Sequence, residues 1–314
     1  MNKFNKVVIL GGTGFIGAQL ATKLSPKSKK IIIPTRNTES NSGLKMIPNL
    51  EIVSTDVKDE RSINLLLEDA DLVINTVGIL NEINEDNSFD KIHYQLPKKV
   101  SNSIKKNKVK RFMHISSLNA DPKSIGKYLK SKGKAEDFLI SETSSFCNLT
   151  IFRPSIVFGE SDSFFNKFAS LLKFLPIFPL ACPNAKFMPV YVEDLTDFMI
   201  STINNIDSYG KKIDVTGPGE YTFRELINHT LAALKIRRLI IPLNSFLSRL
   251  QASVFEKLPG KLFTMDNYQS LQIDSCSDEG FKGSSSLEDI IPQYLNIKTK
   301  QERFEKLRKK SGRK

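Results

Sequence analysis

A glycine-rich segment near the start of the chain constrains the fold more than any other feature of the sequence. Residues 11–17 read Gly-Gly-Thr-Gly-Phe-Ile-Gly; they follow a β-branched run and open a stretch with helical periodicity. The first glycine of this GxxGxxG spacing permits a tight turn, the second lets the backbone approach a pyrophosphate, and the third lets the helix pack closely on the sheet. The helix N-terminus adds N–H donors and positive potential. We therefore predict a dinucleotide site with these cofactor-binding residues: Gly11, Thr13, Gly14, Phe15, Ile16 and Gly17.

The first half of the chain alternates short apolar runs with amphipathic stretches at the spacing of βαβ units. Regular alternation with buried strands predicts a parallel sheet covered on both faces, which is a Rossmann-type, doubly wound α/β fold. The predicted strands are Lys6–Leu10, Ile31–Ile33, Leu50–Ser54, Asp71–Asn75, Arg111–Ile115 and Asn148–Phe152. The predicted helices are Phe15–Leu24, Ser62–Leu67, His93–Asn107 and Gly126–Glu142.

The alternation ends after Arg153, and the rest of the chain predicts a smaller, mostly helical lobe. The stretch Thr222–Lys235 is typical of a capped helix, because Glu225 follows Thr222 at capping-box spacing. The predicted organisation is a nucleotide-binding Rossmann core over 1–155, a lobe over 156–188 and 217–297, a return to the core over 189–216, and a basic tail over 298–314.

The end of the second predicted strand indicates which dinucleotide binds. Sites that prefer NAD place an Asp or Glu about 20 residues beyond the glycines, where it holds the ribose 2′-hydroxyl. Here Arg36 lies nineteen residues after Gly17, and no acid stands beside it. A guanidinium suits a 2′-phosphate, to which it can donate two parallel hydrogen bonds. We therefore expect NADPH in preference to NADH.

Four further strand ends lie where the cofactor would be flanked. Asp56 and Val57 follow the third predicted strand, where a carboxylate can accept a hydrogen bond from the adenine amino group. Small residues after the fourth strand let the backbone lie against the ribose. The remaining cofactor-binding residues predicted at strand ends are Thr76, Val77, Gly78, Ser116 and Pro154.

Tyr128 and Lys132 form the pair that most suggests catalysis. At i and i+4 they share one face of a predicted helix. An ammonium beside a phenol favours the phenolate, so we expect the pKa of Tyr128 to fall toward neutrality. Tyr128 is thus a candidate acid/base for a carbonyl or alcohol, and Lys132 can also hold a ribose hydroxyl. Ser116 and Ser117 end the strand just upstream, where either can hydrogen-bond a substrate oxygen.

Together these motifs resemble the short-chain dehydrogenase/reductase superfamily in its extended or atypical branch. More narrowly, the chain is similar to the complex I alpha-subcomplex subunit 9 family over residues 5–297. The motifs that carry the resemblance occur in this order: GGTGFIG at 11–17, PTR at 34–36, NTVGIL at 75–80, HISSLNA at 114–120, YLKSK at 128–132, PVYVED at 189–194 and LFTMDN at 262–267.

The resemblance implies tightly bound NADPH and a carboxy-terminal lobe near the membrane arm and quinone entrance of complex I. It places Ser117, rather than Ser116, at the active-site serine position, so that Ser117, Tyr128 and Lys132 form a candidate catalytic set. Two interpretations stay open. In the first, the protein is an accessory or assembly subunit of complex I whose nucleotide is structural. In the second, it is a working NADPH-dependent oxidoreductase on a quinone-like, isoprenoid or sugar-nucleotide substrate.

The charge of the chain is concentrated at its end. The net charge is +12, and the segment 298–314, with nine Lys/Arg and two Glu, carries +7 of it. Such a tail suits an acidic protein or an anionic membrane surface, and a solvated terminus is the alternative. With Phe304 as its one aromatic residue and no recognised motif, the tail does not predict nucleic-acid binding. The apolar segment Phe164–Pro189 either faces a partner or membrane, or fills the core of the lobe.

Cysteine usage and the pattern at the amino terminus predict the cell compartment of the protein. Three widely spaced cysteines predict reduced thiols in a reducing compartment, and the three histidines form no local cluster that predicts a metal site. No signal-peptide or transit-peptide pattern precedes the first strand, and the most apolar region is broken by lysines and prolines. We therefore expect a cytoplasmic protein, and the resemblance to a complex I subunit further implies a peripheral position at the inner face of a bacterial inner membrane.

Overall fold

The computed structural model describes residues 3–38, 43–258, 261 and 263–295, so the predicted basic tail lies outside the described residues. The strands are β1 (Phe4–Leu10), β2 (Ser28–Thr35), β3 (Leu50–Ser54), β4 (Leu72–Asn75), β5 (Arg111–Ile115), β6 (Asn148–Pro154), β7 (Val157–Phe158), β8 (Ile177–Leu180), β9 (Lys186–Phe187), β10 (Val190–Tyr191), β11 (Lys211–Thr216), β12 (Tyr221–Thr222), β13 (Leu239–Pro242) and β14 (Phe281–Lys282). The α-helices are α1 (Phe15–Leu24), α2 (Glu60–Leu67), α3 (Leu96–Asn107), α4 (Lys127–Glu142), α5 (Phe164–Phe174), α6 (Val192–Ser201), α7 (Phe223–Leu234), α8 (Ser245–Phe255), α9 (Met265–Ser270) and α10 (Leu287–Leu295).

One eight-stranded parallel sheet organises the molecule, in the order β14-β11-β6-β5-β4-β1-β2-β3. From β1 the chain runs outward through β2 to β3, and from β4 it runs the opposite way. The strand order therefore reverses between β1 and β4, which is where ligands bind in sheets of this class. The predicted doubly wound α/β fold is confirmed.

The central strand β1 shows why the sheet strands read as continuous apolar runs. Val7 and Ile9 pack toward α1 and α6, whereas Val8 and Leu10 pack toward α2, α3 and α4. All four side chains are fully buried. Because both faces of the sheet are covered by helices here, no position from Val7 to Leu10 is left for a polar side chain to meet water, whereas Asn5 at the start of the strand is exposed.

A separate apolar core holds the lobe, where α5, α7 and α10 pack against β8 and β9. Short strand pairs complete it: β12 pairs with β9, and β13 pairs with β8. Of the apolar segment Phe164–Pro189, Phe165, Leu172 and Phe178 are buried in this core, whereas Phe174 is 85% exposed. Most of the segment is therefore lobe core, and its middle lies at the surface.

Among the elements that differ from the sequence prediction, two belong to the helices and sheet of the core. The helix predicted from His93 begins with a π-helical turn, Asp90–Gln95, before α3. Pro97 lacks the N–H that would bond the carbonyl of His93 in an α-helix, so the α-helical ladder is interrupted there. β14 was not predicted; it lies in a stretch read as a loop and forms the edge of the sheet beside β11.

Candidate functional site

The carboxyl ends of the parallel strands bring the predicted cofactor-binding residues to one edge of the sheet. The glycine-rich loop follows β1, and Thr76–Gly78 follows the neighbouring strand β4. These two loops flank the point where the strand order reverses, so they border the crevice in which a ligand would lie. Residues predicted from other strands stand at the ends of those strands, on the same edge: Arg36, Asp56, Val57, Ser116, Ser117 and Pro154.

Two of the three glycines in the GxxGxxG spacing, Gly11 and Gly17, lie where neighbouring atoms leave no room for a side chain. Gly11 has a φ of +78°, and a Cβ on it would lie 2.7 Å from the Oγ1 atom of Thr76. A Cβ on Gly17 would lie 2.3 Å from the carbonyl oxygen of Gly11. Gly14 is different, because it is exposed and the nearest atom to its Cβ position is that same carbonyl oxygen at 3.2 Å. The loop is thus fixed at Gly11 and Gly17 and open at Gly14, where a pyrophosphate would approach.

The N-terminus of α1 is directed at this open position. Gly14 is the N-cap of α1 and has no side chain with which to cap it, and the first turn carries no acidic residue. The first-turn N–H groups are therefore available to an anion, which the helix dipole also favours. The loop and helix start fit the pyrophosphate of a dinucleotide.

The adenosine end of the crevice carries two exposed charged side chains. Arg36 directly follows β2, and Asp56 lies just beyond the neighbouring strand β3. The Oδ1 atom of Asp56 accepts the backbone N–H of Lys58 at 3.0 Å, which holds the carboxylate at the strand end. Both side chains are placed where a nucleotide ribose and base would leave the glycine-rich loop.

The loop after β4 is held in place by hydrogen bonds to the neighbouring strand β1 and to the end of β4 itself. The Oγ1 atom of Thr76 donates to the carbonyl oxygen of Leu10 at 3.0 Å, and the N–H of Val77 donates to Oδ1 of Asn75 at 3.1 Å. Gly78 is exposed beyond these contacts. The backbone at the nicotinamide end of the crevice is therefore preorganised before any ligand binds.

Ser117 interacts with Tyr128, Lys132 lies one turn further along the same helix, and the structure corrects the expected titration of Tyr128. Burial raises the pKa of Tyr128, and the interacting Ser117 hydroxyl lowers it by less. Burial lowers the pKa of Lys132 to about 8, against the opposing effect of Glu136. The Nζ atom of Lys132 donates to the carbonyl oxygen of Ile115 at 3.1 Å. The prediction that Lys132 lowers the pKa of Tyr128 is wrong for this structure, because desolvation of the phenol dominates.

A buried histidine, His93, was not predicted as a site residue and connects the loop after β4 to α4. The Nε2 atom of His93 accepts the N–H of Ile79 at 3.0 Å, and its Nδ1 atom pairs with the hydroxyl of Ser131 at 3.1 Å. Its ring meets that of Tyr128 edge-on, with 5.3 Å between centroids. Burial, followed by the Lys132 ammonium, holds the pKa of His93 well below 6.5, so the imidazole is neutral and its Nε2 atom can accept.

A second polar cluster lies beneath the loop. His114 pairs through Nδ1 with the side-chain amide of Asn75 at 3.2 Å. Its Nε2 atom and the hydroxyl of Ser116 are buried and have no hydrogen-bond partner among the described residues. Burial and the Lys132 ammonium keep the pKa of His114 well below 6.5. Unpartnered buried polar atoms at this edge fit a site completed by a ligand or ordered water.

The lobe also reaches the site. The carboxylate of Asp266, in α9, accepts the backbone N–H of Tyr128 at 3.2 and 3.3 Å from its two oxygens. The sequence signal for this contact is the LFTMDN motif, which carried part of the family resemblance without a role.

No group of three or more His, Cys, Asp or Glu side chains in the described ranges is arranged to hold a metal. Within the same ranges, no helix has the length and apolar character needed to cross a bilayer.

The comparisons with known proteins concern the fold and the first half of the chain in particular. Residues 11–163 match a family model described as NAD(P)H-binding. Over 298 residues the chain is 28% identical to NADH dehydrogenase [ubiquinone] 1 alpha subcomplex subunit 9, mitochondrial, from Mus musculus, an alignment that covers 93% of this chain and 78% of the relative. The protein of the same name from Arabidopsis thaliana is 26% identical over 306 residues, covering 91% of this chain and 74% of the relative.

A solved structure supports the fold. The Bordetella bronchiseptica enzyme WbmF, in complex with NAD⁺, superimposes with a TM-score of 0.70 over 99% of this chain and 97% of its own, at 14% identity. At that identity the likeness concerns the fold alone. The predicted similarity of the chain to the subunit 9 proteins is confirmed.

Proposed function

We propose that this chain, which resembles the subunit 9 proteins over most of its length, is an NADPH-holding accessory or assembly subunit of respiratory complex I. In this proposal the nucleotide is structural. It binds along the carboxyl edge of the sheet, with its pyrophosphate at the start of α1 and its nicotinamide end beside Lys132. A bound NADPH would bring a transferable hydride, and the residues around it would serve mainly to hold it.

The observation that carries the structural role is the direct connection between the nucleotide edge and the lobe. Asp266 of α9 holds the start of α4, and the side-chain amide of Asn119 donates to the carbonyl oxygen of Asp274 at 2.7 Å. The Nζ atom of Lys261 donates to the carbonyl oxygen of Glu82, in the loop after β4, at 2.7 Å. A ligand that stabilises the nucleotide edge would therefore also stabilise the lobe.

The pKa of Tyr128 also favours a structural role for the nucleotide. A Tyr128 with a raised pKa keeps its proton at neutral pH. General acid–base groups act best when their pKa lies near the working pH. The phenol is thus a weak acid that is poorly matched to giving its proton to a substrate oxygen, although it can donate a hydrogen bond to a bound ligand.

Arg36 supports NADPH over NADH, because its exposed guanidinium stands at the end of β2 where an acid would hold the ribose of NAD. We expect Arg36→Asp to reverse the preference, by repelling the 2′-phosphate and accepting the 2′-hydroxyl. Charge-assisted hydrogen bonds contribute about 1.5–3 kcal/mol, so NADPH affinity should fall by about tenfold to 100-fold. Calorimetric titration of both cofactors checks this, with Arg36→Gln as the charge-neutral control. Equal affinities in the wild-type protein would contradict it.

The lobe presents an apolar surface toward a partner. Phe246 and Leu250 on α8 are 74% and 51% exposed, and Leu239 on β13 is 59% exposed. Exposed arginines, Arg237 and Arg249, lie in the same segments. Apolar patches rimmed by charge are typical of interaction sites. We infer that this surface contacts complex I subunits or assembly intermediates, with peripheral contact to the membrane surface, at the cytoplasmic face of a bacterial inner membrane.

A second candidate function rests on the proximity of Ser117, Tyr128 and Lys132. It is an NADPH-dependent oxidoreductase in which Tyr128 gives a proton to a substrate oxygen while the nicotinamide gives a hydride. The substrate classes considered are quinone-like, isoprenoid and sugar-nucleotide compounds.

Tyr128→Phe separates the two functions. The change removes only the hydroxyl, so for a structural subunit we expect NADPH to stay bound and complex I assembly and activity in cells to be nearly unchanged. Gly14→Val, which blocks the pyrophosphate, should impair assembly in parallel. For an enzyme, loss of the acid/base would reduce turnover by about 10²–10⁴-fold. Loss of function in Tyr128→Phe cells, with NADPH bound and the complex fully assembled, would favour the enzyme.

A further inference from the structure

The start of α4 has no cap of its own. Its N-cap residue is Gly126, which offers no side chain to the first-turn N–H groups. Such groups need a partner when they are removed from water. The partner here comes from the lobe, because both carboxylate oxygens of Asp266 accept the N–H of Tyr128, at 3.2 and 3.3 Å. The helix that carries Tyr128 and Lys132 is therefore capped by Asp266, which lies 138 positions after Tyr128 in the same chain.

Asp266 is itself firmly placed. Thr264 and Asn267 form a capping box at the start of α9: the Thr264 hydroxyl accepts the N–H of Asn267 at 3.2 Å, and Oδ1 of Asn267 accepts the N–H of Thr264 at 3.0 Å. Because α9 is capped by Thr264, the Asp266 carboxylate is left for α4. This arrangement gives a physical role to the polar residues of the LFTMDN motif.

The same lobe segment also holds the other side of the nicotinamide end. The side-chain amide of Asn81 donates to the carbonyl oxygen of Lys261 at 3.2 Å, and Lys261 in turn donates to the carbonyl oxygen of Glu82 at 2.7 Å. Both contacts fall in the loop that begins with Gly78. A Cβ on Gly78 would lie 3.6 Å from the Nζ atom of Lys132, so loop and helix meet where the nicotinamide ribose would bind.

We propose that Asp266 is a positioning residue of the nucleotide site: by fixing the start of α4, it holds Tyr128 and Lys132 against the nicotinamide half of NADPH. This inference rests on the proposed NADPH site. The proposed role of Asp266 concerns only the nicotinamide half of the cofactor. The adenosine half would meet the glycine-rich loop and Arg36, and Asp266 touches neither of them. The proposed role also means that nucleotide binding and docking of α9 favour each other, since coupling between two sites is reciprocal.

The test compares two ligands on four proteins by calorimetric titration. The ligands are NADPH and adenosine 2′,5′-bisphosphate, which has the 2′-phosphate and adenosine but no nicotinamide half. The proteins are the wild type, Asp266→Ala, Asp266→Asn and the double variant Asp266→Ala/Gly126→Asp. In the double variant an N-cap aspartate on α4 replaces the missing one, and the extended backbone of Gly126, with φ −69° and ψ 130°, accepts it.

We expect Asp266→Ala to weaken NADPH binding about tenfold, as loss of a helix cap would, and to leave the bisphosphate affinity within about twofold of the wild type. Asp266→Asn keeps an acceptor oxygen and should retain most of the NADPH affinity, and the double variant should recover it. Hydrogen exchange of the α4 first-turn amides should be faster in Asp266→Ala and slower again in the double variant.

Several outcomes would overturn the inference. Unchanged NADPH affinity in Asp266→Ala, or an equal loss for both ligands, would do so while leaving the proposed function intact. Failure of the double variant to recover NADPH affinity, with α4 exchange restored, would show that Asp266 does not act through the helix start. A wild-type protein that binds neither ligand would overturn the proposed function, and this inference with it.

Discussion

Gly14→Val should abolish NADPH binding while leaving most of the fold intact. Gly14 is exposed, its φ of −81° and ψ of 175° suit a β-branched residue, and the nearest atom to its Cβ position is 3.2 Å away. The fold should lose about 1 kcal/mol, the usual cost of a poor N-cap residue. The valine side chain, however, would fill the approach to the α1 N-terminus. Charge-assisted hydrogen bonds contribute about 1.5–3 kcal/mol each, so losing two weakens binding at least about 100-fold.

Gly17→Ala is the matched control for this change. Its Cβ would lie 2.3 Å from the carbonyl oxygen of Gly11, so α1 would have to move away from the loop. Overpacking of this kind costs about 1–3 kcal/mol or more. The two variants should therefore separate in a thermal-shift experiment: Gly14→Val melts near the wild type and loses the NADPH-induced shift, whereas Gly17→Ala melts lower without ligand. A normal NADPH-induced shift in Gly14→Val would contradict the assigned pyrophosphate position.

The free energy of unfolding should fall steeply as the pH drops from about 6.5 toward 5.5. His93 and His114 are buried, and their pKa values in the folded protein lie well below the unfolded value of about 6.5. Below pH 6.5 the unfolded chain therefore binds protons that the folded chain does not. The stability contributed by each neutral histidine is complete above that pH and is lost as the pH falls toward the folded pKa. Each contributes a slope of up to about 1.4 kcal/mol per pH unit.

Urea denaturation at pH 7.5 and 5.5 checks this prediction. Replacing His93 by Gln should remove about half of the pH dependence, although it also alters the contact with Ile79 and so lowers stability at both pH values. His229→Gln, at a partly exposed histidine that lies 3.5 Å from Glu288, is the control for the His-to-Gln substitution itself. An equal free energy of unfolding at the two pH values in the wild type would show that the buried histidines do not titrate as inferred.

The parts of the fold that the sequence predicts are those with local signals. The glycine spacing at 11–17 predicts a strand, a turn and a helix within a few residues of one another. The short β-branched runs predict buried strands. Arg36 and Tyr128 could be proposed as site residues for the same reason, because their signals are fixed distances along the chain. The Thr222–Glu225 capping box is present as its spacing predicts.

The elements that escaped prediction depend on contacts between distant residues. No local pattern links Asp266 to Tyr128, which lie 138 positions apart. The raised pKa of Tyr128 follows from the loss of water around the phenol in the folded chain, whereas the sequence shows only the nearby lysine. The two-residue strand β14 has no periodicity of its own and is a strand because β11 offers it an edge.

The place of β11 and β14 in the sheet has a consequence for the order in which the protein can fold as it is made. The ribosome delivers β1 through β6 before any of the lobe, but the next two sheet positions wait for residues 211 and 281. Until then β6, and afterwards β11, presents an open row of backbone donors and acceptors, the kind of edge along which nascent chains pair wrongly. Completion of the central sheet therefore waits until every element from α5 to α9 has been made.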